Sequence, residues 1–239
     1  MRILDGEGVR KNFGGLAAVA GVDFCINQGE IVGLIGPNGA GKTTIFNLIS
    51  GALNPSSGQI RFNGESITGL KPYQICKRGV ARTFQSAKLF ADMTVINNVL
   101  VWSLFGKSAR TPVADAEMEA REALAFVGLS EKEELPAKDL GIAAQKRLEI
   151  ARALATKPQV ILLDEVMAGL NPTEVTQAIE LIKQIWNKGI SVFMIEHVMK
   201  AVMGMADRVI VLHHGEKLAE GTPEAIAKNR KVVEVYLGE

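Results

Sequence analysis

The stretch Gly36-Pro37-Asn38-Gly39-Ala40-Gly41-Lys42-Thr43 constrains this chain more than any other. It follows the apolar run Ile31-Val32-Gly33-Leu34-Ile35 and leads into Thr44-Ile45-Phe46-Asn47-Leu48-Ile49-Ser50, the order strand, glycine-rich turn, helix. Glycines let the backbone wrap an anion so that several N–H groups point inward. The helix N-terminus adds a partial positive charge. Lys42 is placed to reach β- and γ-phosphates, and the Thr43 hydroxyl to ligate Mg²⁺. From average composition the G-x-x-x-x-G-K-[ST] spacing arises by chance in roughly one chain in a hundred of this length. With these flanks, Gly36, Asn38, Gly39, Ala40, Gly41, Lys42, Thr43 and Thr44 are read as the site of a nucleoside triphosphate and its Mg²⁺.

Other properties exclude alternatives. At 239 residues the chain can bury a full core as one large domain or one with a lobed insertion. Charged residues are 22% and the net charge is +1, which gives no electrostatic case for nucleic acid or an acidic membrane surface. Cys25 and Cys76 fit no metal or redox spacing and are expected as small core residues in a reducing cytosol. The run Val160-Ile161-Leu162-Leu163 is stopped by Asp164, and Val209-Ile210-Val211-Leu212 by His213. Neither approaches the ~18–20 apolar residues of a membrane span. Met1 to Asp5 carries no apolar signal segment. A soluble, cytoplasmic chain is expected, with room for a membrane-embedded partner.

Along the chain, residues 1–35 read as short strands with turns, including Val19 to Ile26 and the turn Asn27–Glu30. The first helix stops at Gly51, Asn54 to Gly58 is a loop, and Gln59 to Gly64 is a strand entering a turn. Gly79 to Gln85 reads as another strand. The texture then changes to helix: Thr94 caps Val95 to Trp102, Asp115 to Val127 buries Ala120, Leu124 and Val127, and a third helix runs from about Ala144 to Thr156. Strands Gln159–Asp164, Ile190–Ile195 and Val209–Leu212 follow. Between the first two, Asn171 caps a helix with Pro172 at its first position and Val175, Ile179 and Ile182 as its stripe. Alternation of this kind means parallel strands with crossover helices. Residues 1–91 and 158–239 are expected to form one sheet-based core, and 92–157 a helical subdomain.

Two strand ends add chemistry. Asp164 would hold Mg²⁺ through water, and Glu165 would polarise an attacking water. His197 ends the next strand, where a donor to a γ-phosphate belongs, and Gln85 offers an amide oxygen to the metal. Asn187-Lys188-Gly189-Ile190 and Asn229-Arg230-Lys231-Val232 both lack the Asp of a guanine-reading N-K-x-D motif, which disfavours a GTPase. His197, Met199, Met203 and Met205 sit at helical spacing and are read as an adaptable packing face, not a soft metal site. His213-His214-Gly215 is read as a hairpin turn near the sheet edge.

The order phosphate loop, glutamine strand, helical insertion, Leu162-Leu163-Asp164-Glu165 and His197 resembles, end to end, the ATP-binding subunits of ABC transporters. Phe13-Gly14-Gly15-Leu16, Gly79-Val80-Ala81-Arg82-Thr83-Phe84-Gln85, Ala168-Gly169-Leu170-Asn171-Pro172 and the tail Val235-Tyr236-Leu237-Gly238 resemble the ATPases of branched-chain (hydrophobic) amino-acid importers. That resemblance implies an α/β P-loop NTPase (RecA-like) core with an antiparallel β subdomain and an inserted α-helical subdomain. It implies an ATPase motor at the cytoplasmic face of the membrane, working as a head-to-tail dimer on permease subunits and indirectly with a solute-binding protein. Phe13 would stack on adenine, Gln85 would sense γ-phosphate and metal, and Ala168, Gly169, Leu170 and Asn171 would communicate across the dimer. Urea and amide importers have similar ATPases. ABC-type ATPases of DNA repair or the ribosome usually carry a long coiled coil or a second cassette, absent here. A kinase would need an acceptor-binding lid.

The chain departs from the family at its signature segment. Where members carry L-S-G-G-Q or L-S-Y-G-Q, this sequence has Leu140-Gly141-Ile142-Ala143-Ala144. The serine that donates to the partner's γ-phosphate is Gly141, and the second glycine is Ala143. A lost hydrogen bond to a charged group is worth about 1.5–3 kcal/mol, roughly ten- to hundredfold in the closed complex. Val166 replaces the proline that usually follows the glutamate. The expected partner is therefore a second ATPase with an intact signature, in an asymmetric heterodimer, and the altered segment lowers activity.

Overall fold

The computed structural model describes residues 1–83, 89–106 and 111–237. Two sheets share the core. Strands β1 (Arg2–Phe13) and β2 (Leu16–Asn27) form a long antiparallel hairpin with several register shifts, where shorter strands were expected. After β3 (Ile31–Ile35) and α1 (Lys42–Ile49), β4 (Ser57–Phe62) and β5 (Glu65–Ser66) complete a four-stranded antiparallel sheet, order β2-β1-β4-β5.

The chain continues through α2 (Pro72–Arg78), β6 (Val80–Arg82), α3 (Val95–Phe105), α4 (Val113–Phe126), α5 (Ile142–Ala155), β7 (Val160–Asp164) and α6 (Pro172–Asn187). It ends with β8 (Ser191–Ile195), α7 (Met199–Met205), β9 (Arg208–His213), β10 (Glu216–Gly221), α8 (Pro223–Ala227) and α9 (Arg230–Leu237). The second sheet has the order β10-β9-β3-β8-β7-β6, parallel except for the edge strand β10.

The unbroken apolar runs have a direct cause. On β7, Val160 and Leu162 join a core against the antiparallel sheet and α1, while Ile161 and Leu163 join a core against the helices. Strand β8 divides the same way, Phe193 and Ile195 against Val192 and Met194. A strand covered on both faces needs apolar residues at every position, not every second one. In the first core the rings of Phe46 and Phe193 lie 5.1 Å apart, fastening α1 to β8.

Local signals set the helix ends. The Thr94 hydroxyl accepts the Asn97 N–H at 3.3 Å, and the buried Asn98 carboxamide accepts from Phe90 N–H and donates to the carbonyls of Phe90, Met93 and Thr94. Asn171 and Glu174 form a reciprocal capping box on α6 at 3.0 and 2.9 Å. Helix α5 starts at Ile142, two residues before the expected start, because Gly141 takes the extended N-cap conformation. Consecutive left-handed residues His214 and Gly215 close the β9–β10 hairpin, as a type I′ turn demands. Met199, Met203 and Met205 pack half-buried on the helical-side core. Cys25 and Cys76 are free and half-buried, so they line the margins of the core instead of filling it. Among the described residues no helix is long and apolar enough to cross a membrane.

Candidate nucleotide-binding and hydrolytic site

The phosphate loop joins β3 to α1 and is pressed against its neighbours so closely that only glycine fits at two places. At Gly36 (φ 149°) a Cβ would lie 2.2 Å from the Leu212 carbonyl oxygen. At Gly41 (φ 103°), the N-cap of α1, it would lie 2.5 Å from that of Ala18. Asn38, Gly39 and Thr43 are exposed, whereas Ala40 and Lys42 are buried. The Lys42 Nζ donates to the carbonyls of Gly36 at 2.7 Å and Pro37 at 3.0 Å. Burial holds this amine below the usual lysine range, and the carboxylates of Glu165 and Asp164 oppose that shift. Those two acids and the lysine therefore share one electrostatic neighbourhood.

Asp164 closes β7 and is fully buried. Its N–H donates to the Thr83 hydroxyl at 3.1 Å. Arg82, at the end of the adjacent strand β6, donates to Asp164 Oδ2 at 2.8 Å and also to Asn47 Oδ1 and Ser50 Oγ on α1. Asp164 Oδ1 is buried with no hydrogen-bond partner among the described residues. Arg82 had no assigned part in the sequence reading. Its signal was there, a basic residue closing a strand, but only the pairing of β6 with β7 sets it against the acid.

Glu165 adopts a left-handed backbone (φ 52°), unusual for a residue with a side chain. Its N–H donates to Ile195 O on β8 at 2.9 Å, and its carbonyl accepts from Lys146 Nζ at 3.3 Å. The turn throws the carboxylate toward the next loop, where Oε1 lies 2.9 Å from His197 Nε2. The His197 side chain is 49% exposed and the Glu165 side chain 13%, so the pair is open on the histidine side. Between Ile195 and His197, Glu196 turns the opposite way. It is 2% exposed and accepts the Met167 N–H at 2.9 Å. Burial pushes its carboxyl up to about 7, against the pull of the Met167 and His197 backbone N–H groups; the Glu165 charge adds to the rise and His197 opposes it.

Other residues singled out in the sequence lie around this centre. Phe13 ends β1 at the tip of the first hairpin, its ring 47% exposed beneath the Lys11 ammonium. The hairpin returns along Ala18, whose carbonyl abuts Gly41. Thr44 lies in the first turn of α1. Leu140 is buried, Gly141 and Ile142 are exposed, and Ala143 and Ala144 are half-buried at the start of α5. A Cβ added to Gly141 would meet nothing within 4 Å. Ala168, Gly169 and Asn171 are exposed, with Leu170 half-buried, and Gly169 approaches Ile142. Gln85 and Lys88 lie outside the described residues. An apolar groove of about 360 Å³ opens between α2 and α3, lined by Tyr73, Cys76, Trp102 and Phe105 among others.

A glycine-rich loop feeding a helix N-terminus, with carboxylates at the end of a parallel strand one removed in the same sheet, defines a P-loop nucleoside triphosphatase. Residues 19–168 match the family model described as ABC transporter, and residues 216–239 match branched-chain amino acid ATP-binding cassette transporter. The high-affinity branched-chain amino acid transport ATP-binding protein BraF of Pseudomonas aeruginosa is 42% identical, over 99% of this chain and 98% of its own. Among solved structures, the ADP conformation of MJ1267, an ATP-binding cassette of an ABC transporter, matches at TM-score 0.90 and 32% identity over 100% of both chains. A dimeric post-hydrolysis structure of the cassette MJ0796, bound to ADP and Pi, matches at TM-score 0.84 and 25% identity over 92% of this chain and 99% of that one. The chain belongs to the ABC transporter family, among its branched-chain amino-acid ATP-binding proteins.

Proposed function

We propose that this chain is the ATP-hydrolysing motor of an importer for branched-chain amino acids, at the cytoplasmic face of the membrane. One juxtaposition carries the reading: Lys42, Asp164, Glu165 and His197 gather at the ends of neighbouring parallel strands, with Glu165 and His197 2.9 Å apart. Loop amides and Lys42 hold the triphosphate, the amine exchanging the Gly36 and Pro37 carbonyls for phosphate oxygens. Phe13 stacks on the adenine. Glu165 takes a proton from the attacking water, and His197 donates to the γ-phosphate. A buried carboxylate oxygen with no hydrogen-bond partner among the described residues suits a hard divalent cation, so Asp164, with Thr43 and Gln85, would hold Mg²⁺, which would neutralise charge on the phosphates.

The motor works as a head-to-tail dimer, each phosphate loop facing the other cassette's signature. Without a side chain, Gly141 has nothing to offer a facing γ-phosphate, which supports a heterodimer whose second cassette carries an intact signature. A permease helix of apolar character would seat in the groove between α2 and α3, where Tyr73 and Phe105 stand exposed. The solute-binding protein is reached only through the permease. The test is ATP-driven leucine uptake by proteoliposomes holding the complex purified through this chain. Lys42→Ala and Glu165→Gln are expected to abolish uptake. Uptake unaffected by both, or uptake of urea in place of leucine, overturns the reading.

A further inference from the structure

Two loops meet at the hydrolytic centre, and one buried side chain laces them together. The loop after β7 carries Glu165 and then the segment Ala168–Asn171, exposed except for the half-buried Leu170; the loop after β8 carries His197. The Glu165 N–H bonds Ile195 O at 2.9 Å, and two residues on, the Met167 N–H bonds Glu196 Oε1 at 2.9 Å. A third tie, Glu165 to His197 at 2.9 Å, joins the side chains themselves. Glu165 is thus pinned on both sides of its left-handed residue, and the second pin is a carboxylate.

That carboxylate is out of place by ordinary rules. Glu196 is 2% exposed, a charged group seldom buried without compensation. An apolar residue there would leave the Met167 amide without its partner, and Glu165 free to leave its strained conformation. We propose that Glu196 is a positioning residue for hydrolysis: it clips the Glu165 loop to the His197 strand end, fixing the separation of water-activating carboxylate and γ-phosphate donor. Through Met167 the clip also reaches the first exposed residue of the segment that would face a partner cassette.

The proposal rests on the roles given above to Glu165 and His197, and its test separates the two. The original chain, purified alone for hydrogen exchange and in the assembled complex for turnover, is compared with Glu196→Gln, which keeps an oxygen for Met167, and with Glu196→Met, which fills the same space without an acceptor. Melting temperature establishes that both fold. In Glu196→Met, amide hydrogen exchange at Met167 is expected to quicken at least 100-fold and kcat for Mg²⁺-ATP to fall 10- to 100-fold. The dissociation constant of a fluorescent ATP analogue should stay within threefold. Glu196→Gln should keep Met167 protected and kcat within threefold of the original. Met167 protection surviving in Glu196→Met overturns the clip, as does a loss of kcat shared equally by both variants. A loss of nucleotide affinity matching the loss of kcat would reduce Glu196 to a fold-stabilising residue. If Glu165→Gln hydrolyses normally, the base assignment fails while the exchange result at Met167 still stands or falls by itself.

Discussion

Arg82 holds one oxygen of the Asp164 carboxylate at 2.8 Å, and the other oxygen is buried with no hydrogen-bond partner among the described residues. The same guanidinium bonds Asn47 and Ser50 on α1 and lies over the Phe46 ring. One cation therefore sets the acid's rotation and ties it to the phosphate-loop helix. Removing one partner of a buried ion pair costs about 3–5 kcal/mol, because the other charge is stranded, while replacing both costs far less. Arg82→Met is expected to lower unfolding free energy by that amount, and Arg82→Met with Asp164→Asn to recover most of it. Urea titration of the two variants checks this. A double variant no more stable than Arg82→Met would show that the pair is not the cause.

Lys42 shows how the loop is poised for phosphate. Its amine is buried against two carbonyls and held below its usual range, yet still within reach of two carboxylate charges. A hydrogen bond to a charged group contributes about 1.5–3 kcal/mol, so Lys42→Ala should weaken Mg²⁺-ATP binding by roughly ten- to hundredfold. Melting temperature without nucleotide should change little, since the lost contacts to loop carbonyls and the lost attraction of Glu165 and Asp164 are offset by the release of a buried, desolvated amine. Calorimetric titration reads the first and thermal unfolding the second.

How much of this was legible beforehand depends on whether the signal is local. Strands β3, β7, β8 and β9 were readable because burial on both faces writes an apolar residue at every position. The phosphate loop was readable because its glycines, lysine and threonine are adjacent in sequence. Helix α2 is opened by Pro72 and closed by Gly79 (φ 109°), but its seven residues are too few to write a periodic stripe into the sequence. The long β1–β2 hairpin was broken into shorter strands because its register shifts interrupt the alternation. The partners of Arg82 and Glu196 are not legible in the sequence, since each acts on a residue brought alongside only by strand pairing. Val166 is buried among the helical-side core residues; nothing else in the structure accounts for its replacing the family's proline.

The start of α5 invites repair. Gly141 caps the helix with no side-chain hydrogen bond and has open space where a Cβ would go. Gly141→Ser should fit without strain and change helix stability by only a few tenths of a kcal/mol. In the assembled complex it restores a hydroxyl toward the facing γ-phosphate, and turnover is expected to rise by about ten- to hundredfold. Steady-state ATPase of the reconstituted complex measures it. Unchanged turnover would mean that the partner cassette does not rely on this segment.

Glu196 also leaves a thermodynamic trace. A free glutamate titrates near 4.5, and burial raises this one to about 7, with Glu165 and His197 as the charged groups facing it. Between those values the unfolded chain has released its proton while the folded chain still holds it. Folding stability from this group is therefore full below about pH 4.5 and declines as pH rises toward 7. The Gln variant cannot ionise and should lack that decline. The expected result is that Glu196→Gln gains on the original chain by an amount growing from pH 5 to pH 7 and level above about pH 8, reaching on the order of 3 kcal/mol. Chemical unfolding at a series of pH values measures the difference. Parallel stability curves would place the Glu196 titration near its unfolded value and remove the energetic cost attributed to its burial.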